Sequence, residues 1–293
     1  MYEIRTVLED TRAAKLGAMN VAFTIWESSV LPMVLHNAES WLEISGKTLK
    51  ILKSLFNTFF SCIFRISGCP IPSFYWESGS LTVENHILLR KILFYHHLKN
   101  LPQGSLGRDF IDLQENDKSL GGIFYEIEES LIQMGNPDVM SLSKNSFKKI
   151  VRKYINFKNR SDLLELIKPY KKLDYKKCLE ETFERKPYFF TLNLDQTRRR
   201  FRVSNNMVQG FRKNYPRKYK GKSLSCQYCL KMKVNSSNNS SSLSQVPDDH
   251  QHHAYECPAY LDLHDKLDIK NSDMDVVEFF RIILERRGLE GEE

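Results

Sequence analysis

Four metal-ligand candidates near the C-terminus constrain this chain more than any other feature. Cys226 and Cys229 stand three residues apart; His253 and Cys257 stand four apart, beyond a long polar loop. A structural zinc ion takes four Cys or His ligands in a closed tetrahedron. A Cys-x2-Cys turn points two sulfurs into one concavity, where backbone N–H groups stabilise thiolate charge. His-x3-Cys puts its two ligands one helical turn apart, on the same face. The set Cys226, Cys229, His253 and Cys257 reads as a Cys2HisCys knuckle holding structural Zn2+. His250 and His252 are rivals for the third position; His253 is preferred because it lies one turn before Cys257. The 23 residues between Cys229 and His253 are mostly a Ser/Asn-rich stretch near 234–247. Such a stretch cannot bury a core and is expected to be disordered. Its length costs little, about 0.6 kcal/mol per doubling.

The rest of the chain reads as helices. Leu52, Leu55, Phe56, Phe59, Ile63 and Ile66 share one helical face, with Lys50, Lys53, Ser54, Asn57, Ser61 and Arg65 opposite. That spacing is helical and not alternating. Ser45 or Thr48 can cap this helix, Thr82 one reaching about 100, and Ser143 one reaching about 158. Ser161 can cap a further helix to Ile167. Short helices are expected over 105–114, 120–134 and 175–183, and a last one over 273–287. Pro32 bends or restarts the first helical stretch. Residues 187–194 are apolar and aromatic and read as extended; Asn193 or Asp195 then opens a short basic helix. Cys62, Cys69 and Cys178 read as packed small hydrophobes, and His86, His96 and His97 as ordinary helix histidines. The expected fold is mainly α, a multi-helix body with a small C-terminal zinc knuckle. Its expected segments are 1–101, 102–190, 191–263 with basic stretch and knuckle, and 264–293.

Charge points to a partner. The net charge is +7, and ten of the cations fall between 198 and 222 with no Asp or Glu among them. They are Arg198, Arg199, Arg200, Arg202, Arg212, Lys213, Arg217, Lys218, Lys220 and Lys222. Phe201, Phe211, Tyr215 and Tyr219 are interleaved. Such a run neutralises phosphates, and aromatics between the cations can stack on bases. It predicts sequence-tolerant binding of RNA or single-stranded DNA, since phosphate contacts set affinity and not sequence choice. No phosphate-binding Gly-x4-Gly-Lys loop, nucleophile elbow or His-Glu-x-x-His motif is present, so no catalytic residues are expected. The best apolar stretch, 49–66, is interrupted by Lys50, Lys53 and Arg65, so no membrane span is expected. Residues 1–20 carry Glu3, Arg5, Glu9, Asp10, Arg12 and Lys15, so no signal peptide is expected, and six Cys are too sparse for a disulfide framework. An intracellular home, nuclear or cytoplasmic, follows as the expectation.

The order of short blocks carries a resemblance. Glu3-Ile4-Arg5 with Leu8-Glu9-Asp10, Trp26-Glu27, Leu31-Pro32 and Asn37-Ala38-Glu39-Ser40-Trp41 with Ile44 come first. Glu77-Ser78-Gly79, Arg90-Lys91, the stretch from Ser143 to Lys149 and Lys186-Pro187-Tyr188 follow. The basic run, Cys226, Cys229 and His253 to Pro258 complete it. Together they resemble the C-terminal part of non-LTR (LINE-like) retrotransposon reverse transcriptases, the region after the polymerase palm. The resemblance implies thumb-like helices, a helical linker, a terminal zinc knuckle and RNA or target-DNA contacts. It also implies the rest of a reverse transcriptase complex as a partner. The family's Tyr/Phe-x-Asp-Asp turn is missing, and Asp248-Asp249 lies in the polar loop. The resemblance therefore implies a truncated, non-polymerising piece. The competing expectation is a protein-interaction module in which the zinc site only staples the helices.

Overall fold

A computed structural model describes residues 16–41, 44–66, 69–117, 123–135, 139–170, 178–179, 181–205, 226, 229, 250–255 and 257–286. The molecule is mainly helical, with no strand among these residues. Helix α1 (Ala18–Ile25) runs into a π-helical turn (Trp26–Val30) and then α2 (Leu31–Val34). Leu31 N–H bonds back to the Trp26 carbonyl. The widened turn ends where Pro32 has no N–H to give, so the chain bends without breaking. Then come α3 (Gly46–Phe64), α4 (Ile71–Ser78) and α5 (Val83–Lys99). They are followed by α6 (Leu106–Asn116), α7 (Ile123–Gln133) and α8 (Lys144–Ile167). The C-terminal third holds α9 (Tyr188–Thr191), α10 (Leu194–Ser204), α11 (His250–Tyr255), α12 (Leu261–His264) and α13 (Asp273–Arg286).

The caps follow from side-chain oxygens that meet orphan N–H groups. Ser45 Oγ accepts from Thr48 N at 3.1 Å. Thr82 caps α5 and Ser143 caps α8 in the same way. Asn193 and Gln196 form a reciprocal capping box at α10. The stripe on α3 is buried as expected, but wider: Phe60 and Phe64 join it, while Leu55 is 36% exposed. This face meets Phe23, Trp26, Phe74, Phe189 and Phe201 in an aromatic core. Trp26 stacks on Phe59 at 4.0 Å, and Phe201 lies 4.2 Å from Phe64 and 5.3 Å from Phe74.

Four expectations need correction. Residues 187–194 are not extended: α9 is a helical turn, with Leu192 N bonded to Tyr188 O. The turn buries Tyr188, Phe189 and Leu192 in one core, which alternation along a strand would not allow. Ser161 does not start a helix. Phe147, Val151, Ile155, Asn159, Leu163 and Ile167 are buried at every fourth position, so α8 runs straight through it. The one polar member, Asn159, is fully buried and accepts from Thr82 N (2.8 Å) and Asn85 Nδ2 (3.0 Å). Cys62 is exposed on the outer side of α3 and is no core residue. The helix expected over 175–183 does not reach 183: residues 178 and 179 are helical, 181–183 are not, and 175–177 and 180 lie outside the described residues.

A second core joins the far half of α5 to α6, α7 and the first half of α8, through Ile92, Tyr95, Ile111, Ile127, Phe147 and Val151. Lys99 fixes α6 by pairing with Asp112 (2.8 Å) and Glu115. On α5, His86 is half-buried beside Phe56, and burial, with Arg90 one turn on, holds its imidazole down at about 4. Burial also lowers His96, which stacks on Phe147. The neutral ring is what the fold accommodates. The stability it contributes is complete above the unfolded value of about 6.5 and is lost as pH falls toward 4. Between pH 7.5 and 5, His86 alone is expected to cost about 2 kcal/mol. Urea unfolding of wild type and His86→Gln at both pH values checks this: the variant should lose less stability on acidification by about that amount.

Candidate metal centre

The third core is small and holds the site. Val203 of α10, Tyr260, Leu263, Ile269 and the α13 residues Val276, Phe279, Phe280 and Ile283 surround Cys226, Cys229 and Cys257. The 3-10 turn Pro258–Tyr260 follows Cys257, and Tyr260 packs edge-on against Phe279. Arg200 Nε donates to Asp273 Oδ1 at 2.7 Å and fastens α10 to the start of α13. The Arg200 guanidinium also lies 5.6 Å from the Tyr188 ring, whose hydroxyl donates to buried Glu77 at 2.9 Å. Burial, and then Glu77, push the Tyr188 phenol far above its ordinary range, so it stays a donor. This chain of contacts joins the metal-site core to α4 and the aromatic core.

Cys226, Cys229, His252 and Cys257 are all buried, and their ligand atoms lie within 4.8 Å of one another. Cys226 Sγ stands 3.9 Å from Cys257 Sγ, and Cys229 Sγ stands 3.3 Å from His252 Nε2. Four ligands round one ion, with metal–sulfur bonds of about 2.3 Å, have tetrahedral edges of about 3.8 Å (S···S) and about 3.6 Å (S···N). The two separations straddle those edges, so this Cys3His group fits a four-coordinate ion. With no cation, the thiols resist ionisation. Burial, then neighbouring Cys226, push Cys229 up to about 11; the hydrogen bond with Cys226, then burial, raise Cys257 well above its ordinary value. A bound cation reverses that balance and displaces the protons.

The histidine that meets the three sulfurs is His252, not the preferred His253. The one-turn argument for His253 assumed a helix through Cys257. Instead Cys257 is extended (φ −76°, ψ 117°), as a residue before proline prefers to be. Its N–H turns back to the His252 carbonyl at 2.8 Å, closing α11. His253 is also buried, with its ring 5.2 Å from the His252 ring and 5.4 Å from the Tyr260 ring. Its carbonyl accepts from His264 Nε2 at 3.4 Å, and the His264 ring stacks on Phe279. Pro258 was the available signal for this geometry. The side chain of His250 lies outside the described residues, as does the Ser/Asn-rich stretch.

Among the four described basic residues, Arg198 and Arg200 serve the fold. Arg198 is buried, and its Nε donates to the Ile63 carbonyl at 2.8 Å, satisfying an acceptor in the last turn of α3. Arg200 is held by Asp273 and Ser204. Arg199 and Arg202 are half-buried on the same helix. Phe201 faces the aromatic core and offers no ring to a base. Arg212, Lys213, Arg217, Lys218, Lys220 and Lys222 lie outside the described residues, with Phe211, Tyr215 and Tyr219. No helix among the described residues is long and apolar enough to cross a membrane.

No protein-family model, curated protein or solved structure matches the chain.

Proposed function

We propose that this chain is a zinc-stapled binder of RNA or single-stranded DNA that acts without sequence choice and without polymerase activity. On this reading it corresponds to the template-holding, C-terminal region of non-LTR reverse transcriptases that its sequence resembles, and its partners are RNA and the remainder of such a complex. The ion is Zn2+, which three thiolates and an imidazole suit by softness and by tetrahedral preference. Its role is structural, because four protein ligands leave no open position for a substrate. Thiolate ligands suit a reducing, intracellular compartment.

One observation carries the proposal. Six cations between 212 and 222, with no acid among them, run directly into the ligand Cys226. Arg198 and Arg200 are excluded from this role because the fold uses them, so their substitution tests stability and not binding. The test is fluorescence anisotropy of a labelled oligonucleotide across a salt series, with the six residues Arg212, Lys213, Arg217, Lys218, Lys220 and Lys222 changed to Gln. The six residues are expected to contribute about −4 to the wild-type log–log slope, from about −0.7 per phosphate on a single strand. The variant's slope should be much shallower. Binding that ignores salt, or no binding, favours a protein-interaction module. Template-dependent nucleotide incorporation by the purified chain would sink the non-polymerising part.

A further inference from the structure

A second charged surface lies well away from 212–222 in the sequence. Helix α8 exposes Lys144, Lys148, Lys149, Arg152 and Lys153, and none of them forms an ion pair among the described residues. The sequence holds no Asp or Glu from 139 to 161. Burial of Phe147, Val151 and Ile155 fixes the helix's rotation, so Lys148, Lys149, Arg152 and Lys153 face solvent. Phe157, one turn beyond Lys153, is 72% exposed. Lys149, Lys153 and Phe157 thus follow one another along the outer face, about 6 Å apart in rise.

Folding does not account for this row. Lys144–Lys148, Lys148–Arg152 and Lys149–Lys153 are like-charged pairs at i,i+4, which destabilise a helix. Lys144 also sits in the first turn, where the helix dipole disfavours a cation. Neither exposed Phe157 nor unpaired cations help the helix pack. An anion supplied by a partner would remove the repulsion.

We propose that the outer face of α8 is a binding surface for single-stranded nucleic acid. Lys148, Lys149, Arg152 and Lys153 hold consecutive phosphates, and Phe157 stacks on a base. A lipid surface suits the face poorly, because a helix lying on a membrane needs its apolar side free and that of α8 is buried in the second core. The inference stands on α8 alone and does not require the 212–222 run to bind.

The experiment uses the full, zinc-loaded chain and a labelled oligouridylate of about 15 nucleotides, within the span such grooves cover. Three variants are compared with wild type: Lys148→Gln/Lys149→Gln/Arg152→Gln/Lys153→Gln, Phe157→Ala, and Arg212→Gln/Lys213→Gln/Arg217→Gln/Lys218→Gln. Thermal melts establish that the exposed substitutions leave the fold intact. The α8 variant is expected to bind at least about tenfold more weakly at 0.1 M salt, with a salt slope shallower by about 3. Phe157→Ala is expected to weaken binding about fivefold or more. A wild-type affinity and slope in the α8 variant overturns the inference. If the 212–222 variant alone fails to bind, the proposed function stands and this surface falls. If the α8 variant alone fails, this surface stands and the grip assigned to 212–222 falls. Loss of binding only to phosphatidylserine vesicles, with oligouridylate binding unchanged, overturns it in favour of a lipid surface.

Discussion

The Cys226→Ser/Cys257→Ser variant is expected to carry no zinc, where the wild-type chain carries about one ion per molecule by elemental analysis. The consequence for stability is large. Zinc bound to small Cys/His sites contributes apparent free energies of about 10–16 kcal/mol at neutral pH, much of it folding free energy. The core around the site is built from few large side chains, chiefly Tyr260, Phe279 and Phe280. Such a core depends on the ion more than the aromatic core around Trp26 and Phe59 does. Chelation should therefore remove hydrogen-exchange protection from α11 and the end of α13, while α3, α5 and α8 keep theirs. Single variants identify the fourth ligand. His252→Ala should weaken metal binding by more than about 100-fold, beyond the 10–100-fold typical of outer contacts. His253→Ala should cost packing against Tyr260 and leave the metal in place. Equal metal loss in both variants, or a metal-free wild type that is fully folded, overturns the assignment.

Gly79→Ala is expected to destabilise the chain by about 4 kcal/mol or more, a loss found only for a few named mechanisms. Gly79 ends α4 in the left-handed region (φ +63°), and Ser80 N bonds back to Tyr75 O to close the helix. A methyl group there would stand 2.4 Å from Arg185 N and 2.7 Å from the Glu184 carbonyl carbon, both backbone atoms. Relief requires moving the 184–186 segment. That segment carries Arg185, which donates to the Ser78 carbonyl (3.1 Å) and Asn20 Oδ1 (2.7 Å) and lies over the Phe23 ring. Lys186 N also bonds the Glu77 carbonyl. The clamp between α1 and α4 would go with it. Gly104→Ala is the control: φ is +78°, yet nothing lies within 4 Å of the added carbon. It should show the left-handed strain alone, about 1 kcal/mol. Equal costs in the two variants, measured by urea unfolding, would falsify the close approach at Gly79.

Local features were legible wherever a short-range rule decided them. Thr82 and Ser143 cap the helices their positions announced, and of the open choices Ser45 caps rather than Thr48 and Asn193 rather than Asp195, because an N-cap needs only an oxygen and a nearby N–H. The stripe on α3, Leu55 excepted, and the α13 residues Val276, Val277, Phe280 and Ile283 are buried as their spacing implies. Charge density was less legible. Arg198 and Arg200 looked identical to their neighbours, and only packing turned them into a helix cap and a tether.

The metal site divides along the same line. The sequence alone determined that a mainly helical chain carries a Cys-x2-Cys pair, a His-rich turn and Cys257-Pro258, because ligand chemistry and helical periodicity are written in residue types and spacings. Tertiary structure decided that His252 and not His253 meets the sulfurs. It also decided that Gly79 passes under Arg185. Each of these depends on how segments far apart in the chain pack, or on where a helix stops, and residue spacing along a regular helix does not encode either one.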